Sequence, residues 1–422
     1  MRRKDLKRTF KLIPYEKALH RLEDAAHIEP LEIEEVAIEK SAGRVLAIDI
    51  VSMQNIPKKN LAVFDGYAIQ STDSMNASAR NPVTLKIVGK TFPGETPHKL
   101  SSGQTVFTAC GAPVPKASDA VIKTENVQLL EDEIQLRFSV EPGENIALAG
   151  EDVEKGSLIL EKGCFLRPQD VGLLAGTGMK AIKVFKRPKV GILSVGDELI
   201  KLGEKNPDKI VNNYALIVSN LVSEFGGTPL LLGIAPDNLE QIKKKLSEAL
   251  EKTDIVATIA GCSVGPKDLV PDAINALGEP GIVFHGVKLS PGKVMGAGIV
   301  KDKPIVMLPG HIVSTYAGFY LILAHLIAQN SGLGKKFPLS VVKARITRDV
   351  KAKPIASFLR VRLVNVDGEF EAEPVKGDSS VLTSLVRSNG YTIVPKGEGI
   401  KKGTAVEVVI YDRYEFTHIM RS

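Results

Sequence analysis

Lys189-Val-Gly-Ile-Leu-Ser-Val-Gly-Asp-Glu-Leu199 is an apolar run that ends abruptly in a glycine and two carboxylates. The pattern recurs downstream. Leu230–Ile234 runs out into Pro236-Asp237, Ile255–Ile259 into Ala260-Gly-Cys-Ser-Val-Gly265, and Ile305–Leu308 into Pro309-Gly-His311. Each run has the length of a strand and is closed by turn residues. Continuously apolar strands predict a parallel sheet covered on both faces. Between them, Ala215–Phe225 and Leu239–Glu251 carry helical apolar spacing, with Leu239, Ile242 and Leu246 on one stripe, and supply the crossovers. Ligands of such sheets bind beyond the carboxyl ends of the strands. The glycines, prolines and carboxylates above all fall on that edge, so the site is expected there.

At 422 residues the chain is too long for one ordinary domain, and three or four are expected. An apolar content of 44% with 25% charged residues describes a globular protein that dissolves in water. The net charge of +6 fits an anionic small molecule and is too weak to argue for nucleic acid. Cys110, Cys164 and Cys262 form no C-x-x-C pair, so neither a disulfide framework nor a zinc site is expected, and a reducing cytoplasm is. The basic start (Arg2, Arg3, Lys4, Lys7, Arg8) is followed by no apolar stretch, so no signal peptide is read there. No charged residue occurs from Pro304 to Gly334; Pro309-Gly310 leaves Ile312–Gln329 as its helical part. With Ser314, Thr315, Tyr316, His325 and Gln329 inside it, this segment reads as a buried helix closing the α/β domain, not as a membrane span.

The rest of the chain is organised around that domain. Pro14–Ala26 reads as an amphipathic helix with Ala18, Leu22 and Ala25 on one face. Glu35–Ser52 is extended, with a turn at Gly43. Asn81–Glu141 alternates as a small β domain: Val83, Leu85 and Ile87, then Ile134, Leu136, Phe138 and Val140. Gly150–Lys186, with a short helix at Pro168–Gly176, is expected to rejoin the N-terminal segment, because neither alone holds a core. After Gly332–Lys336 a last β domain follows, with Leu359, Val361 and Leu363 alternating against Arg360 and Arg362. The expected domains are 1–54 with 147–186, 55–146, 187–333 and 334–422.

Five stretches have the chemistry of a site. Asp197 and Glu198 at a strand end suit Mg²⁺, which takes one or two carboxylates plus substrate phosphate oxygens; a plain loop start is the alternative. Gly261-Cys-Ser-Val-Gly-Pro-Lys-Asp268, before a helix expected at Lys267–Leu277, offers glycines, a hydroxyl and backbone N–H groups to an oxyanion. Ser290-Pro-Gly-Lys293 and Leu308-Pro-Gly-His311 are tight turns, the first carrying a lysine that neutralises anions. Asp65-Gly66-Tyr67 places a carboxylate in a turn, also an ordinary turn sequence. Cys110 and Cys262 read as packing residues.

Together these stretches resemble the molybdopterin molybdenumtransferases, the MoeA and gephyrin E-domain family, in the same order and over nearly the whole chain. Gly43-Arg-Val-Leu-Ala47 resembles GRVLA, Phe64-Asp-Gly-Tyr-Ala68 MDGYA, and Gly150-Glu-Asp152 GED. Gly111–Pro115 with Asp119-Ala-Val121 and Glu125 resembles GAPLP…ADAV…E. Gly196–Leu199 resembles TGDEL, and Ser263-Val-Gly265 with Asp268 resembles GGVSVGDYD. Pro291-Gly-Lys293 resembles KPGKP, and Leu308-Pro-Gly310 with Val313-Ser314 resembles LPGNPVS.

The resemblance implies a homodimer of elongated subunits: a MogA-like doubly wound α/β domain, two small β domains and a discontinuous elongated domain. It implies insertion of molybdate into adenylylated molybdopterin with Mg²⁺ and release of AMP, at a site on the subunit interface that the GED and DGYA segments enter from across it. By motif, Asp65, Asp152, Glu198, Asp268 and Lys293 would be catalytic. Glu198 and Asp268 would hold the metal. Gly196, Asp197, Gly261, Ser263, Gly265, Pro309, Gly310, His311 and Ser314 would bind substrate. The chain departs from the pattern at Cys110 and Ala62, at Val195, and at Ile259–Cys262 and Pro266. Ser290 stands for the first lysine of KPGKP, Val294 for its last proline, and His311-Ile312 for Asn-Pro. The Asp-x-Asn of the family is absent near Asn212-Asn213. Two readings follow: an enzyme, or a relative that binds molybdopterin, an oxyanion or a nucleotide without turnover. Neither nucleic acid nor membrane is an expected partner.

Overall fold

The computed structural model describes residues 11–334 and 339–411. The basic N-terminal run and Lys335-Lys336 of the expected linker lie outside the described residues. The chain forms two compact units, one of residues 1–34, 43–45 and 184–422, the other of 35–42 and 46–183.

The first unit is built on the α/β sheet. Its strands are β1 (Lys189–Val195), β2 (Thr228–Ala235), β3 (Ile255–Ile259), β4 (Pro280–His285), β5 (Gly296–Val300) and β6 (Lys303–Leu308), in the spatial order 2-1-3-6-5-4. Strands β2, β1, β3 and β6 are parallel, as the four apolar runs predict. β5 and β4 add an antiparallel pair at one side. These two were not read from the sequence: they are short and rich in glycine, and periodicity has little to work on there. At the other side β2 is an edge, and Leu230 and Leu231 are exposed, so this run is not covered on both faces.

The helices are α1 (Tyr15–Ala26), α2 (Tyr214–Glu224), α3 (Leu239–Lys252), α4 (Val270–Leu277) and α5 (Ile312–Asn330). α3 buries Ile242 and Leu246 as the stripe requires, and Asn238 caps it by accepting from Gln241 N at 3.1 Å. α4 starts at Val270, three residues later than expected, because the turn before it is held open by Asp268. α1 buries Ala18, Leu22 and Ala26, and Ala25 faces out: the stripe follows i, i+4, i+8. That stripe packs into the α/β core, so residues up to Glu34 fall in this unit, whereas the expected grouping set 1–54 with 147–186. α5 is long and apolar enough to cross a bilayer, and 89% of it is buried inside the unit. A π-helical turn at Phe319–Leu323 inside α5 sets Phe319 and Tyr320 into the core.

The end of the chain forms a closed five-stranded barrel of β7 (Val341–Ile346), β8 (Ala356–Val366), β9 (Glu369–Pro374), β10 (Gly390–Val394) and β11 (Ala405–Ile410). Pairing runs 8-9-7-11-10 and back to 8. β8 is buried on both faces. Val361 and Leu363 fill the barrel, while Phe358 joins the α/β core. Phe358 stacks on Tyr391 at 4.4 Å, and Tyr391, Tyr411, Tyr316 and Tyr320 continue the aromatic contact into α5. Leu289-Ser290 pairs in parallel with Ala356-Ser357. The barrel is thus tied to the sheet domain at β8.

The second unit contains a six-stranded sheet: Ala120–Lys123, Gly66–Ile69, Gln104–Thr108, Val83–Thr91, Glu133–Leu136 and Gln128–Leu129, in that order. Alternation places Leu85, Ile134 and Leu136 in its core. Beside it, Ile50-Val51 pairs with Leu158–Leu160, and Leu46 N donates to Cys164 O at 2.9 Å. The helix Pro168–Gly176 opens with proline, and Asp170 in its first turn reaches back to accept Arg167 N at 2.8 Å.

Candidate active site

The order 2-1-3-6 reverses direction between β1 and β3, which puts the switch point at Val195-Gly196 and Ile259–Gly261. Both strands end in glycine for a steric reason. A Cβ on Gly261 would lie 3.0 Å from Val195 Cγ1, and one on Gly196 would lie 2.5 Å from Glu198 Oε2. Gly196 therefore leaves room for the Glu198 carboxylate to fold back over the strand end. That carboxylate accepts no hydrogen bond among the described residues.

Asp197 is committed elsewhere. Its Oδ2 meets Lys267 Nζ at 3.1 Å, and its Oδ1 accepts Asp237 N at 3.1 Å, so it clasps the ends of β1 and β2 to the glycine-rich turn. The Lys267 ammonium holds the Asp197 carboxyl below the usual carboxylate range. In the turn itself, Asp268 accepts Ser263 N on Oδ1 and Gly265 N on Oδ2, both at 2.8 Å. Those two N–H groups, expected to face an oxyanion, are used to shape the turn. One or two carboxylates, of the kind Glu198 and Asp268 supply, are the usual protein share of a Mg²⁺ site. Among the described residues no group of three or more His, Cys, Asp or Glu side chains forms a metal cluster.

A cleft of about 830 Å³ opens between this sheet edge and the barrel. Of the expected residues it gathers Gly261, Ser263, Asp268, Lys293, Pro309, Gly310, His311 and Ser314. Gly196, Asp197, Glu198 and Gly265 are not in its walls. Lys293 reaches it from the turn that begins at the Leu289–β8 pairing. Cys262 lines it but is buried, and burial pushes its thiol up to about 12, as a packing residue requires.

The barrel wall was not foreseen. It supplies Lys351, Lys353, Ser357, Arg360, Lys376 and Ser379. Alternation sets Arg360 on the face opposite Val361 and Leu363. It is 7% exposed, and its guanidinium donates to Gly377 O at 2.7 Å, to Asp378 O at 3.4 Å and to Ser384 Oγ. Alternation was right about β8, but both faces of β8 are covered, and the sequence shows no sign of the second cover.

Asp65 and Asp152 belong to the second unit and are exposed. Asp65 Oδ1 accepts Cys110 N at 2.7 Å. The contact uses the backbone, so cysteine in place of threonine leaves it intact. A Cβ on Gly66 would overlap the Ile122 carbonyl, which is why glycine follows Asp65. Asp152 sits after Gly150, whose φ is +86°, and its backbone N–H donates to Ile56 O at 3.0 Å.

A switch-point α/β domain with a strand-end carboxylate, joined by a barrel that walls the cleft with cations, defines a protein that binds an anionic small molecule. Comparison gives the class its family. Residues 13–178 match the MoeA N-terminal region (domain I and II), 191–329 a family described as "Probable molybdopterin binding domain", and 343–411 the MoeA C-terminal region (domain IV). The chain belongs to the MoeA family. It is 33% identical to the molybdopterin molybdenumtransferase of Bacillus subtilis over 94% of each chain. It is 30% identical to that of Staphylococcus aureus, over 94% of this chain and 95% of the other. The crystal structure of the molybdopterin biosynthesis MoeA protein from Pyrococcus horikoshii superposes with a TM-score of 0.81 at 32% identity, covering 96% of this chain and all of that one.

Proposed function

We propose that this protein is a molybdopterin molybdenumtransferase: it inserts molybdate into adenylylated molybdopterin and releases AMP in molybdenum cofactor biosynthesis. The observation that carries the reading is the cleft, where Lys293 from the sheet domain and lysines and an arginine of the barrel converge on a site with one carboxylate-shaped turn. Such convergence suits a substrate that carries phosphate and a second oxyanion at once. The transferase names of relatives that align end to end favour turnover over the binding-only alternative.

In this reading Lys293 and Arg360 lie along the anion and the 261–268 turn along the pterin side. Glu198 and Asp268 would hold Mg²⁺, which would supply positive charge to the substrate phosphate. Asp65 and Asp152 remain candidates from the second unit. A homodimer is part of the proposal: Met53 at 75% exposure, with Val51, Leu148 and Leu158 also exposed, leaves an apolar face in the second unit for a second copy to cover. So are the four-part division of the chain and a cytoplasmic location, the latter supported by three cysteines that are all free. The test is direct. Purified protein given adenylylated molybdopterin, Mg²⁺ and molybdate releases AMP in a molybdate-dependent manner. Tight binding without AMP release would return the binding-only reading.

A further inference from the structure

The barrel wall of the cleft carries more positive charge than its surroundings neutralise. Lys351 and Lys353 lie two residues apart in the segment that leads into β8, and Lys376 follows the end of β9; all three line the cleft. The backbone that presents them is pinned. Val350 and Ile400 exchange hydrogen bonds at 2.7 and 3.0 Å, and Gly397 N donates to Lys353 O at 2.8 Å. A Cβ on Gly399 would lie 2.8 Å from Val350 O, so glycine lets the 397–400 loop close behind the two lysines. On β8, Val361 pairs with Pro374, and Val375 N extends the pairing to Arg360 O at 2.9 Å, which brings Lys376 level with Leu359.

No protein group uses these charges. Among the described residues none of the three lysines forms an ion pair or a side-chain hydrogen bond. The carboxylates that line the same cleft serve their own loops. Asp268 accepts Ser263 N and Gly265 N, and Asp378 accepts Ser379 Oγ at 2.9 Å and Ser380 N at 3.4 Å. Arg360 directs both terminal nitrogens to Gly377 O, Asp378 O and Ser384 Oγ. A second observation points to a ligand on this wall. Ser357 lines the cleft and is only 7% exposed, yet its hydroxyl has no hydrogen-bond partner among the described residues. A hydroxyl so deeply set ordinarily has a partner, and a bound anion supplies one.

We infer that Lys351, Lys353 and Lys376 form a phosphate seat on the barrel side of the cleft, distinct from the Lys293 contact on the sheet-domain side. The seat takes the nucleotide phosphate of the substrate and, after transfer, that of the leaving AMP. The inference rests on the proposed reading of the cleft as the transferase site. A phosphate ester bears up to about two negative charges at neutral pH, and lysines bind it as point charges on flexible stems, each with three donors.

Calorimetric titration of the full chain with AMP, adenosine and molybdate tests this, with molecules that differ in phosphate, base and oxyanion. Lys351→Ala combined with Lys353→Ala, and separately Lys376→Ala, should weaken AMP binding on the order of tenfold, the weight of a charge-assisted contact. Adenosine and molybdate affinities should stay within about twofold of wild type. Lys293→Ala should show the opposite split, losing molybdate and keeping AMP. The three barrel lysines are exposed, and unchanged melting temperatures would show that their variants fold. Equal AMP affinity in wild type and both barrel variants, an equal loss of AMP and molybdate, or no AMP binding by a wild type that still releases AMP in turnover, overturns this inference alone. A folded wild type that binds neither AMP nor molybdate and releases no AMP overturns it together with the transferase reading.

Discussion

Glu198 shows how much of the site depends on one neighbouring atom. Its carboxylate occupies space that only glycine leaves free at position 196. Gly196→Ala must displace it and is expected to cost about 1 kcal/mol or more of stability, together with activity. Glu198→Gln touches an exposed side chain and should leave stability within about 0.5 kcal/mol while removing Mg²⁺-dependent AMP release. Thermal melting of both variants, alongside the AMP assay, separates the two effects. Lys293→Ala should weaken molybdate binding by about tenfold or more, and wild-type binding should fall with salt; equal calorimetric affinities would remove this turn from the site. That Glu198 follows a strand end and that Asp268 and Lys293 sit in tight turns was legible, because such breaks are local signals in sequence. What Asp197 and Asp268 bond to was not. Asp197 looks the same as a metal ligand whether or not Lys267 has claimed it, and that partner sits 70 residues away.

At the scale of elements, β8 carries the account. Its Val361 and Leu363 belong to one core and its Phe358 to another. Phe358→Ala should cost about 3–5 kcal/mol, as for other buried aromatic truncations, and should loosen the Arg360 side of the cleft. A loss well under 1 kcal/mol by denaturant unfolding would mean the aromatic contact does not join barrel to sheet. The four parallel strands and their crossovers were readable because apolar runs and helical stripes are local signals. The barrel wall of the cleft was not, because alternation says which residues share a face and nothing about what covers that face. In the second unit, Arg167 bonds hold the Asp170 carboxyl below its ordinary range. A lowered carboxyl contributes stability that is complete above the unfolded value and is lost as pH falls through the folded one. Asp170→Ala should therefore cost about 1 kcal/mol near neutral pH, and its melting temperature should converge on that of wild type below about pH 4.

On the scale of the whole molecule, the sheet edge and the barrel serve one cleft, and the basic residues that face it come from both. The mild net charge of +6 understates this, because the cations are gathered by the fold from positions between 293 and 376. That explains why composition alone pointed only to some anionic small molecule. The departures from the family pattern at Ser290 and His311 lie on the sheet-domain side, opposite the barrel cations. The central claim is that this cleft seats the oxyanion during transfer. Anomalous diffraction from crystals soaked in molybdate, collected at the molybdenum edge, locates that ion directly. The account predicts a peak in the cleft between Lys293 and the Arg360–Ser379 wall, lost in Lys293→Ala. A peak confined to other surfaces, with the cleft empty in crystals of a protein that still releases AMP, would contradict it.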